Sequence, residues 1–153
     1  MSFSLSANHV GLTVSDLARS IGFYRDLLGF HVAYERGEVT ADYMPRLVGI
    51  PGARLKIAGL DLPGLHLDLI EYIAPKGAER AGSTSDVGNI HVGFSVDDLW
   101  TAYRELSTAG VHFTSEPVSP TAGPNQGGWA VYFQDPDGTT LEMIQRAPTA
   151  SSS

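Results

Sequence analysis

The 153-residue chain contains no cysteine, which excludes disulfide frameworks, thiolate metal sites, iron–sulfur clusters and a cysteine nucleophile together. Any metal it holds must be bound through nitrogen and oxygen. Positive charge is scarce: 10 Lys and Arg stand against 17 Asp and Glu, a formal net charge of −7, so there is no electrostatic case for a nucleic acid or an anionic membrane as partner. No apolar run approaches the roughly 20 residues needed to span a bilayer. The opening, MSFSLSANHV, has neither the basic nor the long apolar part of a secretion signal. The expectation is a soluble cytoplasmic protein. What is abundant is hydrophobic residues, at 42%. A chain of this length buries roughly 70% of the surface its unfolded form exposes, enough for one domain or two small modules with a real core.

The chain is written twice. HVGLTVSDL at His9–Leu17 and HVGFSVDDL at His91–Leu99 agree at six of nine positions, at an offset of 82. Each copy runs into a helical pattern, Leu17, Ile21, Tyr24 and Leu28 in the first and Leu99, Tyr103 and Leu106 in the second, the spacing of one buried helix face. Ser15 and Asp97 stand in N-cap positions, and Gly29 and Gly110 stand where a left-handed residue ends a helix. LDLIE at Leu67–Glu71 matches LEMIQ at Leu141–Gln145 in residue type at an offset of 74, so the first copy carries eight extra residues. We place them in 36–54, a polar, Pro- and Gly-containing stretch that suits an extended loop and a specificity element. Two further strands fit each copy: 30–35 and 53–60 in the first, 111–115 and 129–134 in the second. Asp135-Pro136-Asp137-Gly138 marks a hairpin turn between the last two strands. The organisation expected is a first strand–helix–three-strand module at 1–75, a polar linker at 76–87, a second module at 88–147 and a frayed tail at 148–153.

Side-chain alternation then assigns faces. Val10, Leu12 and Val14 share an apolar face that must cover the helix, and His9, Gly11 and Thr13 look the other way. Val92, Phe94 and Val96 repeat the apolar face, with His91, Gly93 and Ser95 opposite. On the last strands Leu67 and Leu69 face the helix and Asp68 does not, as Leu141 and Met143 do and Glu142 does not. Glu71 competes with Asp68 for the inward position, because one residue of register decides the face. Repeat alignment favours Asp68, which matches Glu142, with Glu71 as the fallback. The candidate set is His9, Asp68, His91 and Glu142. Two imidazoles and two carboxylates suit a single divalent ion, with Zn, Ni, Mn, Co and Fe all compatible. His66 shares the parity of Asp68 and is a candidate supporting donor or substrate contact, as is Tyr72. His31 and His112 sit just past the helix-ending glycines and are given ordinary structural roles.

These segments, NHVGLTVSDLARSIGFYRDLLGF, HLDLIEY, IHVGFSVDDL and FQDPDGTTLEMIQ, together resemble the vicinal oxygen chelate superfamily of glyoxalases, bleomycin-resistance proteins and extradiol dioxygenases. The resemblance implies an α+β fold of two paired βαβββ modules forming an open, cupped mixed sheet around a divalent metal. It also implies a homodimer acting on a small molecule. Its ligand positions fall on His9, His91 and Glu142, and on Asp68 where many relatives have Glu or Gln. In the lyase and isomerase branches a metal-associated carboxylate moves a proton beside a carbonyl, which gives Glu142 the role of base. Thr13 stands where glutathione-dependent glyoxalases carry arginine, which points away from lactoylglutathione. Ile90 replaces the first of the paired histidines of methylmalonyl-coenzyme A epimerases.

The function expected is a divalent-metal-dependent, glyoxalase-like lyase or isomerase that stabilises an enolate of an oxygen-chelating substrate. Two alternatives stand beside it: an Fe(II) ring-cleaving dioxygenase using two histidines and one carboxylate, and a non-catalytic drug-binding protein of the resistance type.

Overall fold

In each repeat the chain begins extended because alternate side chains are apolar. It turns into a helix where an aspartate can cap the free amides, and it returns as strands beside the one it started from. The structure, a computed structural model, describes residues 3–78 and 82–148. Part of the expected linker and, apart from Pro148, the expected tail at 148–153 lie outside the described residues. The chain divides into two compact units, Met1–Glu79 and Arg80–Ser153.

The first unit contains β1 (Val10–Thr13), α1 (Leu17–Gly22), which continues as a π-helical turn over Phe23–Leu27, β2 (His31–Val39), α2 (Met44–Val48), β3 (Arg54–Leu62) and β4 (Leu65–Ala74). Its four-stranded sheet has the order β1-β4-β3-β2, with β1 parallel to β4 and the other pairs antiparallel. The second unit contains β5 (His91–Ser95), α3 (Leu99–Thr108), β6 (Trp129–Gln134) and β7 (Thr140–Gln145). Its three-stranded sheet has the order β5-β7-β6, again with the parallel pair first. Both sheets are mixed and open, so the α+β class and the repeated strand–helix–strand plan are present as expected.

The apolar faces pack as alternation requires. Leu67, Leu69, Leu99 and Leu141 are fully buried, and Leu12, Leu17, Ile21, Val92, Leu106 and Met143 nearly so. Each such side chain stabilises the fold by about 1.5–3 kcal/mol. The helix starts are one residue later than expected: the caps are Asp16, which accepts from the Arg19 amide, and Asp98, which accepts from the Thr101 amide. Ser15 and Asp97 precede them, and Ser15 accepts from the Arg19 guanidinium instead. Gly29 and Gly110 have φ of 76° and 87°, the left-handed conformation expected of them.

Three further expectations are corrected. The repeat offset falls from 82 at the histidines to 81 at these glycines, because the π-helical turn takes up one extra residue in the first copy. The Phe30 amide consequently reaches back to the Tyr24 carbonyl, six residues away, where Val111 reaches Leu106, five away. One inserted residue is therefore in the helix and not in 36–54. The stretch 36–54 is also not a simple loop: β2 continues to Val39, and Met44–Val48 is a short helix with Pro45 in its first turn and Gly49 in the left-handed position at its end (φ 69°), the Pro-in, Gly-out pattern of helix ends. Finally, 111–115 forms no continuous strand among the described residues. It meets β6 through an isolated bridge, Phe113 to Phe133. The Asp135–Gly138 turn is as expected, with Asp135 Oδ1 accepting from the Asp137 and Thr139 amides and Gly138 at φ 83°.

Candidate functional site

Each unit brings one histidine to one carboxylate by the same construction. In the second unit His91 opens β5, and Gly93, two residues on, lies directly across from Glu142 of β7. The imidazole therefore reaches diagonally over the glycine to the acid, and His91 Nε2 lies 3.3 Å from Glu142 Oε2. In the first unit Gly11 lies across from Asp68 of β4, and His9, immediately before β1, places Nε2 3.6 Å from Asp68 Oδ2. Both histidines are exposed on one side (43% and 46%), whereas the acids are largely covered (17% and 18%).

The His91–Glu142 separation fits two ligands of one cation, and the His9–Asp68 separation is slightly longer than that fit. With bonds of about 2.1 Å, neighbouring ligand atoms stand about 3.0 Å apart in octahedral and about 3.4 Å apart in tetrahedral coordination. Among the described residues, no group of three or more His, Cys, Asp or Glu side chains stands around one point as a metal site. What each unit supplies is a pair.

Glu71 is differently employed. Its Oε2 accepts from the Leu17 amide at 3.1 Å and lies 3.9 Å from Lys56 Nζ. The aligned Gln145 does the same in the other half, where Oε1 accepts from the Leu99 amide at 2.8 Å. Both side chains satisfy orphan donors at a helix start. The fallback position thus turns toward the helix, and Asp68 is the acid beside His9.

Asp68 has more company than Glu142. Tyr34 of β2 donates its hydroxyl to Asp68 Oδ1 at 2.5 Å, and His66 Nε2 lies 3.3 Å from the same oxygen. The other imidazole nitrogen of His66 is bonded to Asp61 Oδ1 at 2.5 Å. The hydrogen bond to Asp61 is the main reason that the His66 pKa is raised. Burial, with Asp68 next, pushes the Tyr34 hydroxyl up to about 12. In the second unit Tyr132 lies directly across from Glu142 and its ring centroid is 5.2 Å from that of His91. Its pKa is raised by burial and then by the Glu142 charge. His66 thus stands between two acids, Asp61 and Asp68. Tyr72 pairs in register with Leu55 in the sheet. His31 opens β2 and, with Asp61 and His66, lines an open cavity of about 570 Å³ beside the β3–β4 turn. The sequence reading missed Tyr34 and Asp61. The available signal was Gly59, a lone glycine in a strand, which marks close approach of another group.

No helix among the described residues is long and apolar enough to cross a membrane. The family model for the glyoxalase/bleomycin resistance protein/dioxygenase superfamily matches residues 6–143. Over 145 residues the chain is 34% identical to a 2-epi-5-epi-valiolone epimerase from Actinomyces sp., covering 92% of this chain and 79% of that one. It is 29% identical to a lactoylglutathione lyase from Haemophilus influenzae, covering 94% of each. A crystal structure of a glyoxalase family protein from Bacillus cereus superposes with a TM-score of 0.83 at 18% identity, covering 96% of this chain and 97% of that one, which shows a shared fold. Duplicated modules, the matched family model and these relatives together make the chain a member of the glyoxalase/bleomycin resistance protein/dioxygenase superfamily.

Proposed function

We propose that this chain is a divalent-metal-dependent lyase or isomerase that moves a proton beside the carbonyl of a small substrate able to chelate through neighbouring oxygens. The observation that carries this reading is the repeated pair: in each unit an imidazole Nε2 and a carboxylate oxygen lie 3.3–3.6 Å apart on the face turned from the helix. His9, Asp68, His91 and Glu142 would hold the ion. A cation there supplies Lewis-acid stabilisation of the negative charge that develops on a carbonyl oxygen. The 34% identity to an epimerase favours the isomerase branch over ring cleavage.

The residues divide the remaining work. His9 and His91 would bind the ion through imidazole nitrogen, and Asp68 and Glu142 would bind it through carboxylate oxygen. Glu142 Oε2 faces His91, which leaves Oε1 as the oxygen that takes and returns the substrate proton. That carboxylate is 18% exposed, so a proton it takes can exchange with solvent before it is returned. Thr13 lies on the strand that carries Gly11, where it presents a small uncharged side chain. A substrate without a glutathione carboxylate fits that position.

The test is elemental analysis of protein purified without chelators, followed by assay against 2-oxo thiohemiacetals and α-hydroxy ketone epimers. The expected result is one divalent ion per chain, turnover lost on chelation and restored by a divalent ion, and exchange of the substrate α-hydrogen with solvent deuterium. Oxygen uptake with catechols after Fe²⁺ loading would move the reading to the dioxygenase branch. Protein that takes up no stoichiometric metal and gains no turnover from added ions would overturn the enzymatic reading in favour of a binding protein.

A further inference from the structure

The two acids stand beside tyrosines that come from different strands. In the second unit Tyr132 is the residue directly across from Glu142. In the first, the residue directly across from Asp68 is Gly59, and Tyr34 lies one strand further out, in register with Gly59. Tyr34, Gly59 and Asp68 therefore form one row across β2, β3 and β4. The missing side chain at Gly59 is the reason that the outer tyrosine can cross the middle strand. A β-carbon there would stand 2.8 Å from Tyr34 Cδ1 and closer still to Cε1 and Cζ. The ring lies over the bare backbone of Gly59, and its hydroxyl meets Asp68 Oδ1 at 2.5 Å.

The two oxygens of Asp68 are thereby given different partners. Oδ1 takes the Tyr34 hydroxyl and faces His66 Nε2 at 3.3 Å, while Oδ2 faces His9 Nε2 at 3.6 Å. An aspartate has one methylene fewer than the glutamate at the aligned position, and so less freedom to correct its aim.

We propose that Tyr34, seated over Gly59, is a positioning residue for Asp68: it occupies Oδ1 and so presents Oδ2 alone, as a one-oxygen donor, to a cation shared with His9. This rests on the metal reading above and deepens it. Groups that orient a ligand in this way typically govern metal affinity by about 10–100-fold. Gly59 is part of the device, since any side chain at 59 evicts the ring.

The experiment is Co²⁺ titration of the chelator-stripped protein, read by calorimetry for affinity and by visible absorption for coordination, on the wild type, Tyr34→Phe, Gly59→Ala and the double variant. Tyr34→Phe removes one oxygen and leaves the ring in place. We expect it to weaken Co²⁺ binding at least tenfold and to change the absorption bands, with the far-ultraviolet circular dichroism unchanged. Gly59→Ala should reproduce both effects by displacing the ring. The double variant should bind no more weakly than the weaker single, because both changes break the same contact. Wild-type protein that binds Co²⁺ while Tyr34→Phe keeps its affinity within twofold and its spectrum unaltered overturns the positioning role and leaves the metal reading standing. Additive losses in the double variant overturn the role assigned to Gly59. Failure of the wild type itself to bind Co²⁺ overturns the metal reading, and the positioning role with it.

Discussion

The Glu71 carboxylate accepts a hydrogen bond from the backbone amide of Leu17, 54 residues earlier in the chain, at 3.1 Å. It ties the end of β4 to the first turn of α1, as Gln145 ties β7 to Leu99. Because the other half makes this bond with a neutral amide, acceptance and not charge is what the position requires. Glu71→Gln should therefore change unfolding free energy by less than about 0.5 kcal/mol, whereas Glu71→Ala leaves the amide unsatisfied and should cost about 1–2 kcal/mol. Urea unfolding checks both. Metal uptake should be untouched in either variant, and a loss in Glu71→Gln would return that residue to the ligand set.

Gly128 precedes β6 and is enclosed by backbone. A β-carbon there would stand 3.0 Å from the Ala147 nitrogen and closer to the Gln145 carbonyl oxygen, and neither can swing aside as a side-chain end would. Gly128→Ala should destabilise by about 2–3 kcal/mol. Gly37→Ala, whose added carbon meets nothing within 4 Å, should change stability by less than about 0.5 kcal/mol. Equal effects in the two variants would show that enclosure by backbone is not what decides the cost.

Much of this was legible because duplication supplies its own control. Alternation within HVGLTV and HVGFSV assigned the buried faces, and the matching of Asp68 to Glu142 put Asp68 and not Glu71 beside the histidine. What escaped has physical reasons. The π-helical turn alters a 3.6-residue period by one residue, which apolar spacing over a short helix does not resolve. The short helix Met44–Val48 has only five residues, too few for periodicity to show, although Pro45 and Gly49 punctuate it. Tyr34 reaches Asp68 across an intervening strand, a contact between residues 34 apart that depends on strand order and on a gap at Gly59. Local pattern carries neither.

His66 is held by Asp61, whose hydrogen bond is the largest of the influences raising its pKa above the ordinary 6.5. A raised folded-state pKa means that the protonated imidazole is stabilised by folding. That contribution is fully present below pH 6.5, the unfolded value, and disappears as the pH rises through the folded one. Titrating the metal-free protein by NMR should show His66 ionising above pH 6.5, and Asp61→Asn should bring its midpoint down. The variant should also lose stability relative to wild type on the acid side and converge with it at alkaline pH. A His66 midpoint unaffected by Asp61→Asn would show that the short Asp61 contact does not set its ionisation.

Glu142 carries the greatest chemical demand, since it is assigned both to hold the ion and to move the proton. Gln at this position keeps the chain length and one donor oxygen but cannot accept a proton as a carboxylate does. Assayed at saturating metal, so that weaker uptake is compensated, Glu142→Gln should lower kcat by about 10²–10⁴-fold with little change in KM. It should also abolish exchange of the substrate α-hydrogen with solvent deuterium. Asp68→Asn serves as the comparison: it alters the other acid, 3.6 Å from His9, and should weaken metal binding while retaining exchange once the ion is restored. If the metal-saturated Glu142→Gln protein still exchanges the α-hydrogen at the wild-type rate, another group is the base and Glu142 serves the ion alone.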